Sequence, residues 1–198
     1  MNCALCGIQS CKTNLEDAPK NCPSLEDDIN KIKEYYKTEE NYNIAKISTE
    51  LSIQKGKTRI EETMQFAKRC GYKKIGIAFC SALANEANII EKVFRYHGFE
   101  TESVICKVGN LSKEILEVED KKPMCNPITQ AEFLNNAKTD LNVVIGLCVG
   151  HDSLFIKYSE APVTVLAVKD RVLAHNPLGA VYLSETAYKH ILFPPKDK

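Results

Sequence analysis

Residues 142–152 read Asn-Val-Val-Ile-Gly-Leu-Cys-Val-Gly-His-Asp, NVVIGLCVGHD. Val143, Val144, Ile145 and Leu147 make a short continuous apolar run, which fits a strand buried on both faces of a parallel sheet better than a strand with one wet side. Gly146 and Gly150 bracket Cys148. Glycine allows the positive φ and the close backbone approach that a sharp turn out of such a strand requires. The stretch therefore predicts Cys148 at the carboxyl end of a central strand, where open α/β sheets bind their ligands.

Working outward, strands alternate with helical patterns from Lys74 onward. Residues 75–80 (IGIAFC), 102–108 (ESVICKV), 142–149 and 163–168 (VTVLAV) read as strands. Helical spacing follows at Ala84 to Tyr96, at a short segment from Ser112 to Val118, and at Asp152 to Tyr158. A helix running to about Lys138 is expected to open on a Thr129–Glu132 capping box. The tail from Asn176 to Leu192 reads as helix until Pro194-Pro195 stops it. Alternation of this kind implies a parallel sheet of about four strands with helices on both faces, an α/β, Rossmann-like or flavodoxin-like fold. An order 2-1-3-4 would open a crevice between the ends of the first and third strands.

Upstream, three helical patterns are expected: one capped by Ser24 with Asp27 and carrying Leu25, Ile29, Ile32 and Tyr36, one from about Glu39 to Gln54, and one from Thr58 to Cys70 ended by Gly71. They predict a helical layer, residues 24–71, belonging to an α/β domain of residues 24–198. Residues 1–23 form a separate cysteine-rich knuckle in this reading. At 198 residues the chain suffices for one sizeable core and is short for two ordinary domains.

Lys plus Arg and Asp plus Glu number 26 each. That balance gives no reason to expect a nucleic acid or an anionic membrane as partner. No run approaches the roughly 18 apolar residues of a membrane span, and MNCALCGIQSC has no signal core, so a cytoplasmic protein is expected.

Nine cysteines are a high count in a reducing compartment, where clustered thiols more often bind metal or do redox chemistry than pair as disulfides. Cys3, Cys6, Cys11 and Cys22 follow a C-x2-C-x4-C-x10-C spacing in a segment with few apolar residues. Four thiolates closing on one centre would supply the order such a segment lacks. Tetrahedral sulfur ligation suits a zinc ion and a 4Fe–4S cluster alike. Cys80, Cys106 and Cys148 sit near strand ends, and Cys125 lies in the long EDKKPMCNP loop, so these four are expected to line the crevice as free thiols or as ligands of a second cluster or metal. Cys70 reads as a buried structural thiol.

His151 and Asp152 follow Cys148 at a helix start, while Lys169, Asp170, Arg171 and His175 follow the fourth strand. The frame Gly146-Leu147-Cys148-Val149-Gly150 has the form of a nucleophile elbow, with Asp170 and His175 in acid-then-histidine order. Cys148, His151, Asp170 and His175 are thus the candidate catalytic groups. The extra cysteines have no task in a hydrolase or transferase of that type.

Cys3-Ala-Leu-Cys6, Ala78-Phe79-Cys80, Cys106-Lys107, Cys125-Asn126-Pro127, Gln130-Ala131, residues 146–152, Ala161-Pro162, Lys169-Asp170-Arg171 and His175-Asn176-Pro177 together resemble a family of uncharacterised proteins of anaerobic bacteria and archaea described as predicted metal-binding. The resemblance spans essentially the whole chain. It implies metal binding, and an anaerobic setting would favour oxygen-sensitive iron–sulfur centres. The function expected from all these features is redox or sulfur-transfer chemistry with an as yet unspecified redox partner or small-molecule substrate. The alternatives are the Cys148 nucleophile and a small-anion-binding module whose metal is purely structural.

Overall fold

The computed structural model describes residues 2–25 and 29–195. The chain divides into two compact units, residues 1–56 and 57–198. None of the helices among the described residues is long and apolar enough to cross a membrane.

The first unit holds short 3-10 turns at Cys3–Leu5, Ser10–Lys12 and Pro23–Leu25, then α1 (Ile29–Tyr35) and α2 (Glu39–Ile53). Thr38 caps α2 by accepting from Asn41 N–H. Asp27, expected to cap the first helix with Ser24, lies outside the described residues. Leu25, Ile32 and Tyr36, expected on one apolar stripe, all remain exposed.

The second unit opens with α3 (Arg59–Arg69), whose N-terminus is closed by a reciprocal Thr58–Glu61 capping box. Around it stand strands β1 (Lys74–Phe79), β2 (Glu100–Ile105), β3 (Leu141–Ile145) and β4 (Val163–Ala167), with α4 (Ala84–Tyr96), α5 (Pro127–Asn136) and α6 (His151–Tyr158) between them. The sheet is parallel in the order β2-β1-β3-β4, as the strand pattern predicts. Strand periodicity sends Ile75, Ile77, Leu141, Val143 and Ile145 to one face, where they meet Met64 and Ala67 of α3 and Ala87 and Phe94 of α4. Ala78, Val104 and Val144 face the other way, against Ala131 and Leu134 of α5 and Phe155 of α6.

Several boundaries differ from expectation, each for a local reason. β2 ends at Ile105 rather than Val108 because the chain folds into turns there, Val108 N–H donating to Ile105 O and Asn110 N–H to Lys107 O. β3 stops at Ile145 rather than Val149, because Gly146 takes φ +61° and leaves the ladder. The helix expected to open on Thr129 and Glu132 begins three residues earlier. Asn126 is its cap, accepting from Thr129 N–H at 3.2 Å, and Pro127 occupies the first turn, where its missing N–H costs nothing. The tail is two short helices, α7 (Leu178–Tyr182) and α8 (Lys189–Leu192), instead of one. Between them Thr186 Oγ1 donates to the Leu183 carbonyl at 3.3 Å, a local bond that competes with helical continuation.

One buried polar chain crosses the α5–α6 side of the sheet. Asn142, fully buried, accepts from Thr139 Oγ1 at 2.8 Å and donates to Ser159 Oγ at 2.8 Å, and the Ser159 hydroxyl donates to Ala161 O at 2.8 Å. This chain runs beside Gly76, where a Cβ would stand 2.0 Å from Asn142 Oδ1. Gly76→Ala must therefore displace a satisfied buried amide. The expected cost is about 2–4 kcal/mol, read as a lower urea midpoint with an unchanged slope.

Candidate functional site

The register of the parallel ladder builds the site. Phe79 of β1 is opposite Ile105 of β2 and also opposite Ile145 of β3. The next residues, Cys80, Cys106 and Gly146, therefore leave the sheet at one level. Cys106 N–H donates to Phe79 O at 2.9 Å and Cys80 N–H to Ile145 O at 3.0 Å, extending the ladder by one step. Side-chain alternation then puts Cys80 beside Ala78 and Cys106 beside Val104, both on the α5–α6 face.

Cys125 reaches the same place from the other direction. It precedes the Asn126 cap of α5, and Asn126 N–H donates to Cys106 O at 2.8 Å, so the loop that leaves β2 returns to its own starting point. Lys107 Nζ donates to Pro123 O at 2.6 Å and fastens the same junction. As a result Cys125 Sγ and Cys106 Sγ are 3.8 Å apart. Cys106 Sγ also accepts Ser81 N–H at 3.3 Å.

These thiols differ in electrostatics. Burial pushes the Cys80 thiol up, but the Ala82 N–H, the Lys169 ammonium and the neighbouring Cys106 thiol together outweigh it and hold it below its ordinary value. Burial also pushes Cys106 up, and there it prevails: the Ser81 N–H and hydroxyl oppose it, while negative charge on Cys125 and Cys80 adds to it. Lys169 reaches the site by passing over Gly146. A Cβ on that residue would stand 3.7 Å from Lys169 Cε and 2.2 Å from Leu83 Cδ1, so a bare backbone is needed.

Cys148 has a different set of partners. Its carbonyl accepts from His151 N–H at 2.9 Å and Asp152 N–H at 3.1 Å, which starts α6, and its Sγ accepts from Arg171 Nη2 at 3.3 Å. Among the described residues no hydrogen bond joins it to Cys80, Cys106 or Cys125. The other candidate catalytic groups have partners of their own. Asp170 Oδ1 accepts from Val172 N–H at 2.9 Å and Leu173 N–H at 2.8 Å, closing a turn. His175 Nδ1 accepts Asp170 N–H at 3.1 Å and lies 3.2 Å from Val168 O, so backbone groups hold that nitrogen rather than the Asp170 carboxylate. His151 is a half-buried first residue of α6, contributing its N–H to Cys148 O.

Two residues of the site carry weaker sequence signals. Arg171 is the side chain that contacts Cys148, a partnership that sequence spacing does not disclose. Gln130, fully buried on α5, donates to Val104 O at 2.8 Å and Phe79 O at 3.3 Å, beneath Cys106 and Cys80. Its Oε1 is buried without a hydrogen-bond partner among the described residues. The signal for Gln130 is positional: it stands on the same helical stripe as Leu134, four residues on, where an apolar residue would be ordinary.

In the first unit, Cys3 and Cys6 flank a 3-10 turn in which Cys6 N–H donates to Cys3 O at 3.1 Å, a turn that brings positions three apart onto one side. Gln9 N–H donates to Cys6 Sγ at 3.4 Å. Cys3 and Cys11 are exposed and Cys22 is buried. Among the described residues no three His, Cys, Asp or Glu side chains are grouped closely enough to hold a metal ion, in this unit or in the crevice. The donor set itself is all thiol, which matches zinc and iron–sulfur centres in chemical softness.

The electrostatic contrast is open to test through the pH dependence of alkylation, since only the thiolate reacts. The iodoacetamide inflection of Cys80 is expected below that of a free thiol. That of Cys70, pushed up by burial, is expected above it. In Lys169→Met the Cys80 inflection should move upward while that of Cys70 stays put; superimposable Cys80 profiles would remove Lys169 from the site.

Comparison with known proteins places the chain. An uncharacterised protein of Methanocaldococcus jannaschii is 48% identical over 189 residues, covering 92% of this chain and 94% of the relative. The family model described as "Protein of unknown function (DUF1847)" matches residues 21–166, which include β1 to β3, all but the last residue of β4, the crevice cysteines and the whole of α6. The chain belongs to the DUF1847 family.

Proposed function

We propose that the protein is a thiol-dependent redox or sulfur-handling protein of the cytoplasm whose working site is the crevice of Cys80, Cys106, Cys125 and Cys148. What supports the reading above all is the meeting of three sulfurs from three segments, the ends of β1 and β2 and the start of α5, at the ligand-binding edge of a doubly wound sheet. One thiol in an apolar layer is ordinary filler. Three in sequence, Cys80 beside Cys106 and Cys106 beside Cys125, with a lysine brought over a glycine to the first of them, are a means of holding and moving sulfur or electrons.

Cys80 is the member best equipped to carry negative charge, because Ala82 N–H and Lys169 both stabilise its thiolate. Cys106 and Cys125 are a second and third sulfur within reach, and Ser81 N–H orients Cys106. For a second cluster or metal, Cys80, Cys106, Cys125 and Cys148 would have to draw closer together than they stand here, since no three of them are grouped closely enough to hold an ion. At the N-terminus Cys3, Cys6, Cys11 and Cys22 would hold a zinc ion or a 4Fe–4S cluster, the first supplying structural order and the second an electron carrier. Gln9 N–H already engages Cys6 Sγ as it would a ligated thiolate.

A second reading has one observation in its favour. Arg171 on Cys148 Sγ would stabilise a lone thiolate beside the start of α6, as a cysteine nucleophile requires. In that reading Arg171 activates the sulfur and His175, held by backbone through Nδ1, would act through Nε2.

Metal analysis of protein purified without oxygen tests the preferred reading. The Cys3→Ser variant is expected to lose the N-terminal centre, as zinc or as iron with labile sulfide and absorption near ~400 nm, while Cys80 keeps its alkylation profile. Metal content that is the same in Cys3→Ser and the parent chain would eliminate the N-terminal site. A Cys80 thiol no more reactive than Cys70 would eliminate the crevice.

A further inference from the structure

We propose that Cys106 and Cys125 are a reversible dithiol–disulfide pair that exchanges with a small-molecule disulfide. The inference deepens the reading of the crevice as a thiol site and rests on it. It names the two sulfurs that change bonding and the chemical class of their reactant.

The geometry of the pair carries the proposal. Both backbones are fixed: Cys106 by its N–H on Phe79 O and by its carbonyl under Asn126 N–H, Cys125 by the adjoining Asn126 cap and the Lys107–Pro123 bond. The two sulfurs are 3.8 Å apart on these anchored residues. A disulfide bond is about 2.05 Å long, so the two sulfurs need to close by under about 2 Å to form one. Cys106 also neighbours Cys80, whose charge Lys169 and Ala82 N–H stabilise, while Cys148 is engaged by Arg171.

Exposure assigns the order of events. Cys106 is 3% exposed, whereas Cys125 is half-buried and is the sulfur that an incoming disulfide meets. The Cys125 thiolate attacks one sulfur of R–S–S–R, forming a Cys125–S–S–R bond and expelling R–S⁻. Cys106 then loses its proton to solvent and its sulfur attacks Cys125 Sγ, expelling the second R–S⁻. The protein dithiol is oxidised by two electrons and R–S–S–R is reduced to two thiols, which take up the two protons the cysteines released. The Ser81 N–H on Cys106 Sγ stabilises the charge that sulfur carries as it attacks. The reverse sequence, with two molecules of R–SH, restores the dithiol.

The test uses the full chain equilibrated with glutathione and glutathione disulfide in varied ratio, as isolated and again after dialysis against a chelator. Trapping with N-ethylmaleimide and peptide mapping then locate every linkage. The expected result is a Cys106–Cys125 disulfide at least tenfold more abundant than any other linkage of Cys106, reversed by reduced glutathione. It should be absent in Cys125→Ser and unchanged in Cys148→Ser, with circular dichroism showing that both variants fold. Cys106 linked chiefly to Cys80, or both sulfurs alkylated at every ratio with and without chelator, overturns the pair. The Cys80 alkylation profile, read from the same maps, separates the two levels. A reactive Cys80 without a Cys106–Cys125 link sinks the pair alone, and an unreactive Cys80 sinks the crevice reading beneath it.

Discussion

The constraint on which the site depends is the double pairing of Phe79, opposite Ile105 on one side and Ile145 on the other. A parallel ladder has no freedom to slip by one residue without turning every side chain to the wrong face, and both faces here are packed against helices. Register is therefore over-determined by the core, and the positions just beyond it inherit that precision. Cys80 and Cys106 are held at the same level and on the same face by apolar packing several residues away from any chemistry. Cys125 joins them through the return of its loop to Cys106 O.

Bringing sulfurs together imposes an electrostatic order. Two thiolates at 3.8 Å would repel by about 4 kcal/mol at the effective dielectric of a partly buried site, so adjacent sulfurs in this crevice do not ionise independently. The structure resolves the competition asymmetrically. Lys169 and Ala82 N–H favour charge on Cys80, while burial and its neighbours keep Cys106 protonated to higher pH. Lys169 passes in van der Waals reach of Gly146, which joins the turn after β3 to the ionisation of a residue after β1.

The strand order and the switch point are legible in the sequence because they follow from periodicity and from the alternation of strand and helix, which are long-range averages over many residues. The approach of Cys80 to Cys106 follows from the same average carried one residue past each strand. Cys148 is harder to place, since it comes two residues after a glycine at φ +61°, where strand alternation no longer says which way a side chain faces. Its partner, Arg171, and the turn that occupies Asp170 lie in irregular backbone after β4, set by local hydrogen bonds with no periodic signature. Gln130 and Asn142 are missed for a related reason. A polar residue inside an apolar pattern reads as a surface position until its partners are known, and those partners are backbone carbonyls and small hydroxyls from distant segments.

The loop from Lys107 to Met124 hangs from one junction, with its start and finish tied together at Cys106, Asn126, Lys107 and Pro123. Its outer part, including Ile115, Leu116 and Val118, is exposed. Tying a loop at its base uncouples the geometry of the base from the length of the span, and the entropy of a flexible loop grows only logarithmically, by about 0.6 kcal/mol for each doubling. The spacing between Cys106 and Cys125 is thus free to drift by insertion or deletion while the sulfurs keep their separation. A pattern search that insists on one interval between these cysteines would pass over chains with the same site.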